Sequence, residues 1–375
     1  MNRHAFDHEH IALVLQGGGA LGAYQAGVFE EIARFPRQPA WVAGISIGAI
    51  NAALIVGNPP HKRVERLREF WELVSSASSG VHAWVDEQRS AVHQVNAFVA
   101  ASMGVPGFYE PRVPPPFFQP EGTVRAISFY DTAPLRRTLE RLVDFDLINS
   151  GKVRLSLGAV NVRTGNSVYF DTRERRIGVD HVMASGALPP AFPPVIIDGE
   201  PYWDGGVVSN TPLQYVLDNR ELSRILIAQV DLFSAVGAMP KDMPAVMARH
   251  KEIIYSSRTR FNTDTLAQIQ RNRRTVLELI DKLPAKQRQR ADIRMLRAAN
   301  RTAHVDIVHL IYRQARSELE SKDYEFSRDA VKEHWAAGRR DMRLTVSHPD
   351  LLIGARVDDG VTVYDLASRN PTVKR

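Results

Sequence analysis

Three glycine-framed clusters hold residue types able to do chemistry. In the first, Gly44-Ile45-Ser46-Ile47-Gly48, a serine is set between two glycines. If that pentapeptide joins a strand to a helix, the strained turn pushes Ser Oγ out of the backbone, and the glycines leave room for the neighbouring strand and helix. The hydroxyl then sits at a helix N-terminus, where free N–H groups and the helix dipole favour developing negative charge. That chemistry is nucleophilic attack on a carbonyl. The second cluster is Gly17-Gly18-Gly19-Ala20-Leu21-Gly22 and the third is Asp204-Gly205-Gly206.

Gly17 to Gly22 also satisfies the Gly-x-Gly-x-x-Gly spacing of dinucleotide-binding folds, which want an acidic residue about 20 positions further on to hold a ribose. The serine turn occupies that place here, and the nearest acids, Glu30 and Glu31, fall inside the first predicted helix. A nucleotide cofactor is therefore not expected. Bare glycine amides turned toward Ser46 would instead form an oxyanion hole. Ser46 also needs a base. His181, His304 and His309 follow it in the chain order of α/β-hydrolases, but none sits in a recognisable loop, and a chain with 12 histidines offers such candidates by chance. Asp204 ends the strand-like stretch YWDGG. The two glycines after it permit a sharp turn that aims a carboxylate at little steric cost.

The elements that must position these groups are legible from periodicity. Residues 10–15 (HIALVL) read as a buried strand, 22–35 as a helix ending before Pro36, 40–43 as a second strand, and 47–56 as an apolar helix. Strand, glycine loop, helix, strand, turn, helix implies a parallel sheet covered on both faces. Further helices are expected over 61–74, 86–100 and, from the Asp131-Thr132-x-Pro134 start, to about 143. Strands are expected over 153–160 and 167–171, a hairpin over 195–203, a helix start at Asn210-Thr211-Pro212, and a last central strand over 224–230. Residues 105–122 carry six prolines with Phe108, Tyr109, Phe117 and Phe118, which reads as a long surface connection. Its aromatics either line an entrance for greasy substrate or pin the connection to the body. After about 235 the pattern becomes long charged helices (244–283, 285–300, 327–344) broken by one apolar run, 304–312. The expected division is a catalytic domain over 1–235 and a basic, mainly helical extension over 236–375.

Composition bounds the chemistry. The chain has 375 residues and no cysteine, which excludes disulfide scaffolds, thiolate nucleophiles, Fe–S clusters and thiolate zinc sites. No acidic run follows calcium-loop spacing and no histidine pairs suit zinc, so no metal is expected. The start MNRHAFDHEH is polar, and the longest apolar candidate, 44–57, is too short to span a bilayer. A soluble, cytoplasmic protein is expected. The net charge of +6 is uneven: residues 249–316 hold 16 Lys+Arg and 6 Asp+Glu, leaving −4 for the remainder. Such a stretch either attracts an anionic membrane surface or is the solvated face of helices. It lacks the aromatic interleaving of nucleic-acid platforms, so no nucleic acid is expected.

Taken together, the clusters resemble the patatin-like phospholipase family. Gly17, Gly18, Gly19 and Gly22 match its oxyanion loop, Gly44 to Gly48 its elbow with Ser46 as nucleophile, and Asp204-Gly205-Gly206 its aspartate motif. Ala184-Ser185-Gly186-Ala187 with Pro189, Phe192 and Pro193 matches a further stretch, and Asn210-Thr211-Pro212 its conclusion. The resemblance covers about residues 10–235. It implies a three-layer α/β/α fold with a mostly parallel sheet, a Ser46-Asp204 dyad without histidine, no cofactor, and hydrolysis of lipid carboxylic esters through an acyl-enzyme. A non-catalytic lipid- or partner-binding protein, a polyester hydrolase and an acyltransferase stay open as alternatives, as does a homo-oligomer. Leu21 stands where many members carry Arg or Lys, which removes a cation near the substrate but not the backbone amides.

Overall fold

In the computed structural model, which describes residues 10–76, 96, 99–220, 225–256, 259–300, 305–313, 323–348, 361–367 and 372–374, the chain opens with the expected alternation. β1 (His10–Leu15), α1 (Gly22–Ile32), β2 (Trp41–Ile45) and α2 (Ile47–Val56) follow in order, and then α3 (Arg63–Val74). The helix expected over 86–100 lies largely outside the described residues. Next come α4 (Ala133–Leu142), β3 (Arg154–Asn161), β4 (Ser167–Asp171) and α5 (Val179–Ser185). The hairpin β5 (Val195–Ile197) and β6 (Glu200–Asp204) leads to α6 (Leu213–Asn219) and β7 (Ile225–Asp231). The Pro201–Trp203 stretch thus reaches one residue further, to Asp204 itself.

Residues after 235 form α7 (Met243–Tyr255), α8 (Thr259–Asp281), α9 (Ala291–Ala299) and α10 (Arg328–Ser347). The helix expected over 244–283 is therefore two helices. The region also adds three strands, β8 (Val305–Ile311), β9 (Val361–Asp365) and β10 (Thr372–Lys374). β8 is the apolar run that interrupts the charged helices, and it pairs in parallel with β7.

These ten strands lie in one sheet in the order β10, β9, β8, β7, β1, β2, β3, β6, β5, with β4 on β3. The centre is parallel and both ends are antiparallel. Side chains alternate across the pleat. Along β1, Ile11, Leu13 and Leu15 enter one apolar cluster while Ala12 and Val14 enter the other. Burial on both faces is why the strand reads as an unbroken apolar run. α1, α2, α3 and α10 supply side chains to the larger cluster, and α6 covers the opposite face with Leu213, Val216 and Leu217.

α1 is buried along its whole length. α10 crosses it so closely that a Cβ on Gly27 would collide with the Trp335 carbonyl oxygen and one on Gly338 with that of Tyr24. Glu30 accepts from Trp335 Nε1 at 2.6 Å, and Glu31 pairs with Arg339 at 3.0 Å and Arg343 at 2.8 Å. Glu30 and Glu31, the acids inside α1, thus fasten α10. The basic helices differ from α10: α9 and the second half of α8 are mostly exposed.

Candidate active site

Ser46 sits between β2 and α2 at φ 57°, ψ −126°, a conformation that costs about 1–3 kcal/mol for a non-glycine residue. The glycines around it are sterically obligatory. A Cβ on Gly44 would collide with the Gly48 carbonyl oxygen, and one on Gly48 with that of Leu15 in β1. The Ser46 N–H donates to the Ser185 carbonyl oxygen at 3.1 Å and lies 3.2 Å from Ser185 Oγ. That hydroxyl donates in turn to the Gly158 carbonyl at 2.6 Å. Ser185, fully buried, therefore braces the elbow against β3, a role that sequence matching alone does not supply.

Strand register brings Asp204 to Ser46. β4 occupies one edge of β3 through residues 156–160. On the other edge β2 pairs as far as Ile45 with Gly158, and β6 takes over at the next residue, Asp204 with Ala159. The last residue before the serine and the aspartate thus oppose consecutive positions of one strand. Asp204 is 1% exposed. Its Oδ1 accepts from the Gly206 N–H at 2.7 Å, whereas Oδ2 is buried without a partner of hydrogen-bond geometry. Burial pushes its pKa up from 3.8 to about 7, while the adjacent Ser46 hydroxyl and the Gly206 amide pull the other way. A buried carboxylate with one oxygen unpartnered and a pKa raised toward neutrality can exchange a proton with whatever fills that place. Gly205 packs on the β3 backbone, where a Cβ would meet the Gly158 carbonyl at 2.7 Å.

The glycine loop lies against the same point. A Cβ on Gly17 would stand 3.0 Å from Ser46 Cβ. Asn210 clamps this residue from both sides: the Gly17 N–H donates to the Asn210 carbonyl at 3.1 Å, and Asn210 Nδ2 donates to the Gly17 carbonyl at 3.0 Å. Gln16, also fully buried, holds the loop from below, accepting from Leu232 N–H and Phe233 N–H and donating to Thr211 Oγ1. Of the four glycines expected around an oxyanion, the structure thus gives two another task. The Gly17 amide is already engaged, and the Gly22 amide donates to the Gly19 and Ala20 carbonyls while its Cα lets Ile47 approach. Among the described residues the Gly18 and Gly19 amides meet no internal acceptor, and Gly19 adopts φ 55°, which favours glycine.

These groups open into one cleft of about 690 Å³, counting the part open to solvent. Ile47, Ile50, Phe108, Leu188, Phe192 and Phe233 make it largely apolar, and Lys251, Tyr255, Asp323 and Tyr324 complete it from the region after 235. Lys251, the one cation among the described lining residues, binds Asp323 at 2.6 Å and lies 4.4 Å from the Tyr324 ring centre. The aromatics of 105–122 divide between the two readings. Phe108 and Tyr109 are buried, Phe108 at the cleft wall, whereas Phe117 and Phe118 are exposed.

Two of the three candidate histidines lie elsewhere. His181 Nδ1 accepts from the Gly178 N–H at 2.9 Å, His309 Nε2 is 2.6 Å from Asp231, and neither lines the cleft. His304 is outside the described residues. Among the described residues no cluster of three His, Asp or Glu could hold a metal, and no helix is long and apolar enough to cross a membrane.

A sheet between two helical layers, with a serine elbow, a glycine loop and a buried aspartate at one end, can be set beside known families. The family model for patatin-like phospholipases matches residues 13–217, so the chain belongs to that family. A second model, described as patatin phospholipase, matches residues 253–356. A cGAMP-activated phospholipase of Vibrio cholerae is 26% identical over 230 residues, 55% of this chain and 58% of that protein. The chain thus spans less than two thirds of that relative's length. Among solved structures, VipD from Legionella pneumophila aligns with 88% of this chain and 67% of its own at 15% identity and a TM-score of 0.33.

Proposed function

We propose that this chain hydrolyses the carboxylic esters of lipids, phospholipid, lysophospholipid or acylglycerol, with Ser46 as nucleophile and Asp204 as its base. Ser46 Oγ attacks the ester carbonyl carbon while its proton passes to Asp204, and the carbonyl π-electrons move to an oxyanion facing the Gly18 and Gly19 amides. Collapse of that intermediate breaks the C–O bond, and the proton on Asp204 leaves with the alcohol. Water then attacks the acyl-enzyme, Asp204 takes its proton, and the acid departs as Ser46 is re-protonated. Gly17 and Gly22 support the loop without donating to the oxyanion.

The observation that carries this reading is the pairing of a buried Asp204, one of whose oxygens has no partner among the described residues and whose pKa burial raises to about 7, with a serine held in a strained elbow. A base works best when its pKa is near the working pH, and burial supplies that match without a histidine. The apolar cleft suits an acyl chain. The deciding experiment is a panel running from short nitrophenyl esters to phospholipid vesicles and triacylglycerol, with Ser46→Ala and Asp204→Asn alongside. Turnover abolished by both substitutions is expected, together with labelling of Ser46 by a fluorophosphonate. Undiminished turnover in either variant would overturn the dyad, and absent labelling would favour a binding protein on the same scaffold.

A further inference from the structure

α7 carries its apolar side chains on the side away from the body. Met243, Val246, Met247, Ile253 and Ile254 fall on one helical face, with the exposed His250 between the two groups. All five apolar residues are exposed, from 44% at Val246 to 67% at Met243. The opposite face carries polar contacts to other segments: Arg249 donates to the Ser234 carbonyl and Lys251 reaches Asp323. Asp242 caps the helix start by accepting from the Ala245 N–H. Val236 and Met239, just before the helix, are 85% and 87% exposed. Apolar residues facing water over this length are unusual for a solvated helix and mark an interaction surface.

Two observations select the occupant. First, Lys251 and Tyr255 of the same helix line the cleft above Ser46, so whatever seats on the outer face comes to rest beside the cleft. Second, residues 249–316, which begin within α7, carry 16 Lys+Arg against 6 Asp+Glu, and such a segment is complementary to anionic lipid headgroups. A helix with one apolar face lies in the plane of a bilayer interface. We infer that the outer face of α7 docks on an anionic lipid bilayer and seats the cleft at its surface. What docking delivers rests on the lipid-ester reading, but docking itself does not require turnover.

The test uses full-length protein and mixed phosphatidylglycerol–phosphatidylcholine vesicles, with Ser46→Ala as background so that lipid composition stays fixed. Sedimentation with vesicles is expected, and Met247→Glu with Ile254→Glu should weaken partition by about a hundredfold, since each charge would enter the apolar boundary. In the Ser46 chain the same pair should leave turnover of a soluble short-chain ester unchanged, which also shows that the fold survives. Absent vesicle binding, or binding that persists in a folded double variant, overturns the inference. A wild-type dimer dissolved by the double substitution, without vesicle binding, would assign the face to a second copy. Lack of soluble-ester turnover in the unsubstituted chain would strike the catalytic reading alone.

Discussion

The cleft has two walls made of different material. The wall holding Ser46, Asp204 and the Gly17 to Gly19 loop is built from backbone: glycines without room for a Cβ, a strained serine, and amides fixed by Asn210 and Gln16. The facing wall is built from side chains, Lys251, Tyr255, Asp323 and Tyr324, tied by one ion pair and a cation–π contact. Backbone walls fix reacting atoms, whereas side-chain walls set what lies against them. Changes on the first wall should therefore act on every ester, and changes on the second should act selectively.

Substitutions at the dyad give the sharpest contrast. Ser46→Ala and Asp204→Asn are expected to lower kcat by 10³-fold or more, roughly, on every substrate, measured by ester turnover. Asp204→Asn should also melt at a higher temperature than the parent at pH 8. Its folded pKa, about 7, lies above the ordinary 3.8, so the parent loses stability as pH rises through that window. The difference should vanish near pH 3, where the parent's Asp204 is protonated in both the folded and the unfolded chain. Next, Gly19→Ala sets a Cβ against the Asp323 carbonyl oxygen and strains a residue at φ 55°. A fall of roughly 100-fold in kcat is expected, comparable to losing one oxyanion donor.

The pH profile of kcat/KM should rise about tenfold per unit below pH 7 and level off above it, reporting Asp204. A flat profile from pH 5 to 8, or one with its midpoint near 4, would assign the proton elsewhere. Ser185→Ala removes one contact to the elbow amide while its backbone carbonyl remains, so roughly a tenfold loss is expected, on every ester alike. Lys251→Gln should have the smallest effect, about threefold or less on kcat for a neutral short-chain ester, with a larger change in KM for phosphate-bearing lipid. An equal loss on both substrates would show that the second wall positions the reacting atoms as the first does.

Much of the first wall was legible in the sequence because its chemistry constrains residue type locally. Glycines at 44 and 48 report backbone contact, and the strand-turn-helix order around Ser46 places the elbow. Ser185 and Gln16 were not legible as supports, since the elbow and loop amides they hold lie 139 to 217 positions away. The second wall was invisible for the same reason, and also because polar residues on charged helices look alike whether they face solvent or a cleft. The strands after 305 show the limit of periodicity. β8 is a strong apolar run, but β9 and β10 are short and half polar, and their partners decide them.

The handover on β3 has a consequence for how the site could be redesigned. Because Ile45 and Asp204 dock on neighbouring rungs of one ladder, the spacing of Ser46 and Asp204, the proposed nucleophile and base, is set by the rise of a single peptide. The intervening chain, from Ile47 to Trp203, contributes through that ladder and the Ser185 brace. Its peripheral connections, such as the Pro-rich segment bearing Phe117 and Phe118, could then be shortened or exchanged to reshape substrate access while the reactive pair keeps its gauge.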